Sequence, residues 1–211
     1  MRRLFRTASL VPVLALGSSS LWSGALADDC EYVIDRNRSS ITFEIRHVLM
    51  NVEGRFTDFG GCLHQVASDV TRSRVAVTID AGSIDTDLPD RDRELRGPDF
   101  LDVERYPQIT FRSREVSAAD GLKILGDLTM HGVTRSITLE AREPGVPGLG
   151  AELAFEATAT LKRRDFGITW NKLLDGGVSV IGDEVKIAIH VVAVEAKVEP
   201  ASRSSRSDTG A

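Results

Sequence analysis

Alternation of apolar and polar residues is the feature that most restricts what this chain can fold into. Ile41, Phe43 and Ile45 share one phase while Thr42, Glu44 and Arg46 share the other. Period-2 alternation of this kind belongs to a strand with one dry and one wet face. The pattern recurs in Tyr32 to Asp35, in Val52, Gly54 and Phe56, and in Val75, Val77 and Ile79. It returns in Ile109 and Phe111, in Leu122 to Met130, in Ile137, Leu139 and Ala141, in Leu153 to Leu161, and in the final run from Val185 to Val198. His131-Gly132 reads as a tight turn joining two of these runs into a hairpin.

About eight or nine strands in mostly antiparallel succession predict an all-β fold. The one convincing helix runs from Asp90 to Gly97, with Asp90 able to cap it and Gly97-Pro98 stopping it. Its RDRELR sequence is charged nearly all round, so it is expected on the surface, burying little beyond Leu95. A closed barrel removes exposed strand edges, and eight strands leave room for one small ligand. A two-sheet sandwich is the alternative. Slim inward residues, namely Gly54, Gly126, Ala157 and Ala159, leave volume that a sandwich would have to fill. They favour an antiparallel barrel around an apolar cavity.

One stretch breaks the alternation. From Asp99 to Phe111 the sequence reads DFLDVERYPQITF, a charged turn followed by a Tyr-Pro step. Such a break between strands marks a closing device or a pocket rim. Phe100 and Leu101 are expected to plug one barrel end, and Tyr106-Pro107 to aim the next strand so that Phe111 enters the lumen.

The ends of the chain carry a different signal. Arg2, Arg3 and Arg6 precede an apolar run from Leu10 to Leu16, and Ala25-Leu26-Ala27 offers a cleavage site. This reads as a secretory signal over residues 1–27, too short to span a membrane as a helix. Residues 28–198 form the expected domain and 199–211, Ser/Arg-rich, an expected disordered tail. With a formal charge of −5 and no basic cluster, nucleic acid is not an expected partner. Two cysteines, Cys30 and Cys62, suggest a disulfide in an exported chain, with two buried free thiols as the alternative.

Catalytic motifs are missing. None of the four histidines, His47, His64, His131 and His190, falls in a metal-binding spacing, and no G-x-S-x-G elbow occurs. Asp85, Asp87, Asp90 and Asp92 make an acidic run without the glycine and final glutamate of a calcium loop. The inward aromatics are more informative. Phe43, Phe56, Phe59, Phe111, Phe155 and Phe166, with Trp170, exceed what a barrel without a cavity needs, although any one of them could be ordinary core. Together with Ile45, His47 and Phe100 they form the expected ligand-binding set. Asp87 and Arg91, beside His47, are candidates to meet a polar head.

Several motifs occur in order: Ser40-x-x-Phe43-x-Ile45-x-His47, Val52-x-Gly54-x-Phe56-x-x-Phe59-x-Gly61, Phe100-Leu101-Asp102-x-x-x-Tyr106-Pro107-x-Ile109-x-Phe111, Gly126-Asp127-Leu128-Thr129-x-x-Gly132-Val133-Thr134 and Arg164-Asp165-Phe166-Gly167-Ile168. Over Tyr32 to Val198 they resemble the YceI-like family of polyisoprenoid-binding proteins. The resemblance implies a lipocalin-like barrel, usually secreted to the periplasm, and the missing motifs add the expectation of no catalysis, no cofactor and no metal. Its lumen would take an apolar long-chain lipid: a polyisoprenoid, a fatty amide or a quinone tail. The other readings are a quinone- or lipid-linked redox or stress accessory protein, and a structural barrel without a ligand. Nothing in the sequence opposes a homodimer. Members often carry His-Leu where this chain has Glu94-Leu95, so no role of that histidine carries over.

Overall fold

Among the described residues eleven strands form, most of them where β-branched and aromatic residues alternate with polar ones, and every pairing between them is antiparallel. They are β1 (Tyr32–Ile34), β2 (Ser40–His47), β3 (Met50–Phe56), β4 (Phe59–His64), β5 (Arg74–Asp80), β6 (Ile84–Asp85), β7 (Gln108–Ser117), β8 (Leu122–Met130), β9 (Val133–Arg142), β10 (Glu152–Lys162) and β11 (Ile181–Glu195). One helix, α1 (Pro89–Arg96), separates β6 from β7. The computed structural model describes residues 30–48, 50–66, 68–142, 152–171 and 180–196. The expected signal segment, the C-terminal tail and the loop from Pro144 to Gly150 lie outside the described residues.

Strands β1, β4, β5, β7, β8, β9, β10 and β11 hydrogen-bond in that order, and β11 returns to β1. The ring is a closed eight-stranded antiparallel barrel. Its longest strand, the 15-residue β11, has two partners along one edge. Ile34↔Ala193 pairs it with β1, and His190↔Ser40 begins its pairing with β2. A one-turn 3-10 helix, Arg36–Arg38, steps the chain from one partner to the other. Asp35 caps that turn by accepting from the Asn37 amide at 3.0 Å, the local competition with ladder bonding that Asp favours. Below the step, β2, β3 and β6 extend the sheet past the ring.

The long strands β9 and β10 meet over only a short seam. These strands pair only over Glu156↔Arg142, Ala157↔Ala141 and Thr158↔Glu140. Beyond that point a 3-10 helix, Arg163–Phe166, follows β10, and the Phe166 side chain is 1% exposed. The Phe166 carbonyl meets His131 Nδ1 at 3.1 Å, bridging to the β8–β9 turn. That turn has positive φ at both His131 and Gly132, as a two-residue hairpin turn requires.

The interior divides into two packed clusters. One gathers Ile34, Ile41, Phe59, Leu63, Val191 and Ala193. The larger runs from Val116, Ile124 and Leu139 through Phe111 and Leu128 to Phe100, Leu101 and Phe166. Cys30 and Cys62 form a disulfide with Cα atoms 5.5 Å apart, tying the residues before β1 to β4 beside the smaller cluster. Thr57 and Asp58 separate β3 from β4, which places Cys62 on β4.

Two expectations need correction. Helix α1 begins at Pro89, whose missing N–H costs nothing in the first turn, and Leu88 occupies the cap position without a side-chain bond. Asp90 is therefore inside the helix. Nor is α1 merely superficial, because Asp92 is 6% exposed and its Oδ1 accepts from the Thr86 amide at 2.9 Å and the Thr86 hydroxyl at 2.5 Å. The second correction concerns Gly54 and Gly126. Neither leaves open volume, because the Phe43 ring lies over one and the Phe111 ring over the other. Their missing Cβ atoms are seats for aromatic rings.

Candidate functional site

An apolar cavity of about 360 Å³ opens where β2, β3 and the start of β11 run beyond the barrel ring. Inward positions of β2 and β3 supply Phe43, Ile45, Val52 and Phe56, and β11 contributes Val185 and Ile187. The period-2 alternation places these together: Ile45↔Val52 and Phe43↔Gly54 are directly opposed, and Val185↔Ile45 and Ile187↔Phe43 continue the same face. Phe43 and Phe56 stack with centroids 5.8 Å apart.

The far wall comes from the break in the alternation. Phe100 and Leu101, both buried, close the cavity, and the Phe100 ring lies 5.2 Å from Trp170. Several main-chain bonds hold this segment in shape. Phe100 and Asp102 amides donate to the Gly97 carbonyl at 3.1 and 2.9 Å, and the Tyr106 amide donates to the Asp102 carbonyl at 2.8 Å. Tyr106 then packs edge-on against His131 at 4.9 Å and over Gly132. Residues 99–107 are thus pinned at one end to the β8–β9 turn and at the other to the Trp170 ring.

Four polar side chains reach the cavity: His47, Arg91, Glu94 and Arg163. Arg91 is committed to the corner between β6 and α1, with Nε donating to the Thr86 hydroxyl and Nη2 to the Thr86 carbonyl, each at 2.7 Å. Arg163 is 4% exposed. Its Nε donates to the Gly182 carbonyl at 2.8 Å, and its Nη1 to the carbonyls of Ile168 at 2.9 Å and Trp170 at 2.8 Å. Burial pushes its guanidinium pKa down, with the neighbouring charge of Arg164 acting in the same direction.

The expected ligand set is split by the fold. Phe43, Ile45, His47, Phe56, Phe100 and Trp170 line the cavity, as does Arg91. Phe59 belongs to the smaller packed cluster and Phe155 packs against it, while Phe111 and Phe166 fill the larger one. Asp87 stands outside with its side chain 77% exposed, paired at 2.9 Å with Arg55. Arg55 also binds Asp85 at 2.5 Å. Residues outside the expected set join the site, among them Ile84, Met130, Leu161, Ile168 and Arg163, of which Arg163 carries no sequence signal. Arg163 sits in a run of charges, Lys162 to Asp165, that reads as a solvated loop. A larger cleft of about 1150 Å³ lies over the β9–β10 seam, lined by Arg135, Thr138, Thr160, Lys162 and Lys186 among others, and is far more polar.

Among the described residues, no cluster of three or more His, Cys, Asp or Glu side chains is placed to hold a metal. None of their helices is long and apolar enough to cross a membrane.

Comparison with known proteins agrees with this geometry. A family model described as YceI-like domain matches residues 32–193. A UPF0312 protein of Pseudomonas aeruginosa is 40% identical over 162 residues, covering 74% of this chain and 84% of the relative. The crystal structure of Burkholderia cenocepacia BcnA superposes with a TM-score of 0.65 at 25% identity, over 76% of this chain and 99% of that one. A polyisoprenoid binding domain from Saccharophagus degradans shares the fold alone, with a TM-score of 0.59 at 15% identity over 79% of this chain and 99% of its own. The closed ring, the family-model match from the first strand into the last and the 40% identical relative have one account: the chain belongs to the YceI-like family.

Proposed function

We propose that this protein binds a long-chain, isoprenoid-type lipid in the periplasm and carries or stores it without transforming it. The cavity carries the reading: about 360 Å³ walled by Phe, Ile, Leu, Val and Trp side chains, with two of its four polar groups, Arg91 and Arg163, engaged by main-chain or hydroxyl partners. Its size falls within the range of small-molecule sites. Each CH₂ moved from water into such a space contributes roughly 0.8 kcal/mol, so a few isoprene units supply ample gross affinity before ordering costs. The polyisoprenoid binding domain that shares the fold supports the ligand class. The disulfide and the N-terminal signal pattern support an oxidising compartment.

Mass spectrometry of an organic extract of the purified full-length protein tests the proposal. A prenyl lipid is expected to co-purify, and re-adding it to delipidated protein should raise Tm. Absence of any lipid, together with an unmoved Tm on adding prenyl lipids, would sink the carrier reading. Phe100→Ala opens the wall between the cavity and solvent. It is expected to speed transfer of a fluorescent prenyl lipid to acceptor vesicles by several-fold while lowering Tm less than other buried Phe→Ala changes, because one side of the ring already faces open space.

A further inference from the structure

Arg163, one of the residues lining the cavity, carries a buried donor, Nη2, with no acceptor among the described residues. Nε and Nη1 of the same guanidinium are used three times on main-chain carbonyls, which fixes the plane of the group and leaves Nη2 over. Buried donors are nearly always satisfied, and a guanidinium stays charged. Asp183 acts on it electrostatically, raising its pKa against the effect of burial, but no ion pair joins the two among the described residues. The nearby Asp183 is occupied by Arg164, whose Nε lies 3.8 Å from Asp183 Oδ1 and whose amide donates to the same oxygen at 3.2 Å. Among the described residues, Glu94 is the one acid that lines the cavity, and no ion pair joins it to Arg163. Three main-chain carbonyls, helped by Asp183 at longer range, therefore hold the positive charge beside an apolar space.

We propose that Arg163 anchors the polar end of the bound lipid inside the barrel, its Nη2 donating to an anionic oxygen of a carboxylate or a phosphate. This rests on the lipid-binding reading above and adds the class of head group to it. The head then sits against the loop 167–170, under the Trp170 carbonyl, rather than in solvent beside Asp87. An anion is favoured over a neutral end because the pair forms in a low-dielectric space where a charge-assisted bond is strongest. Arg163 also becomes a specificity determinant, and the tail can vary in length without disturbing it.

Delipidated full-length protein distinguishes the outcomes. Palmitate is compared with hexadecanol, and geranylgeranyl monophosphate with geranylgeraniol, by competition against a fluorescent fatty probe. Each anion is expected to bind at least about tenfold more tightly than its alcohol. A preference confined to one pair still supports the anchor and identifies the head as carboxylate or phosphate. Equal binding within both pairs overturns the anchor and leaves the carrier reading standing, whereas no binding of any of the four removes the carrier reading itself. In Arg163→Met the preference should vanish while hexadecanol binding remains, and a folded variant that keeps the preference overturns the assignment. Should that variant not fold, [1-¹³C]palmitate bound to the unaltered protein gives the answer. Its carboxyl resonance should titrate below the ordinary carboxylate range, since a neighbouring cation favours the ionised form. A carboxyl titrating at or above that range, as burial without a cation would produce, overturns the proposal.

Discussion

The two ends of the barrel share β2 and β11 and differ in what fills them. Along β11, Ala193 is completely buried in the smaller cluster, and twelve residues earlier Ile181 lines the cavity. At a rise of about 3.3 Å per residue the two are roughly 40 Å apart. The Ala193 end is packed, closed by β1 and tied by the disulfide. The Ile181 end has no ring strand opposite β3 and β6. It is walled instead by α1, the segment 99–107 and the Arg163 loop. Closing one end with backbone ladders and the other with side chains on turns gives one end stability and the other a space.

Two glycines express the same difference at single-residue scale. Gly54 and Gly126 both carry a phenylalanine ring where a Cβ would project. At Gly126 the Cβ would also come within 2.5 Å of the Arg112 carbonyl oxygen, and Phe111 above it is locked in the larger cluster. At Gly54 the other neighbour is the Thr86 methyl at 2.8 Å, and Phe43 faces the cavity.

The largest test of the contrast is at the tied end. Replacing Cys30 and Cys62 together by alanine releases a loop of 32 residues and is expected to destabilise by about 3–4 kcal/mol in the chain-entropy treatment, read by urea unfolding. Lipid affinity of the remaining folded protein should be unchanged. A loss of affinity as large as the loss of stability would show that the ends are coupled.

Next comes the glycine pair. Gly126→Ala should cost about 1–3 kcal/mol, the usual penalty for overpacking a filled core. Gly54→Ala should cost less than half of that, because Phe43 can swing into the cavity, and should weaken lipid binding instead. Equal destabilisation with unchanged binding would mean that the cavity end is as rigid as the packed one.

The smallest effect concerns charge at the tied end. Arg38 forks onto Glu152 at 3.0 and 3.1 Å and donates through Nε to Asp35 at 2.7 Å, fastening the β1–β2 step to β10. The hydrogen bond from Arg38 is the main cause holding both carboxyls below their ordinary values of 3.8 for Asp35 and 4.5 for Glu152. Depressed carboxyl pKa values stabilise above the unfolded-state value and lose that contribution as pH falls through the folded one. Tm should therefore hold from neutral pH to about 5 and drop below about 4.5. Arg38→Ala should lower Tm slightly at pH 7, and its difference from the parent should shrink to nothing on acidification. The network is exposed, so a modest shift is all that is expected.

Much of the fold was legible because alternation is a local property. The phase of Ile41, Phe43 and Ile45 fixes which face of β2 is dry whatever the strand pairs with. The Asp99–Phe111 break likewise announced itself as a place where no ladder could continue. The candidate site was readable in half-measure. Phe43, Phe56, Phe100 and Trp170 were singled out as inward or closing aromatics, and they line the cavity. Phe59, Phe111, Phe155 and Phe166 carry the same pattern and fill core. Inward phase says which side of a strand a ring occupies and is silent on how far along the barrel the packing stops.

Arg163 shows the limit from the other side. In the run Lys162 to Asp165 nothing distinguishes it from Arg164, yet one is 4% exposed with three carbonyl partners and the other faces solvent beside Asp183. The sequence by itself determined an antiparallel all-β chain with one face of each strand buried, since side-chain period depends on neighbours one and two residues away. Only the tertiary structure decided that β11 would take two partners, that one end would be packed and the other hollow, and that a single arginine would be drawn into the wall. Those outcomes depend on groups brought together from residues far apart in the chain, and no local pattern records their meeting.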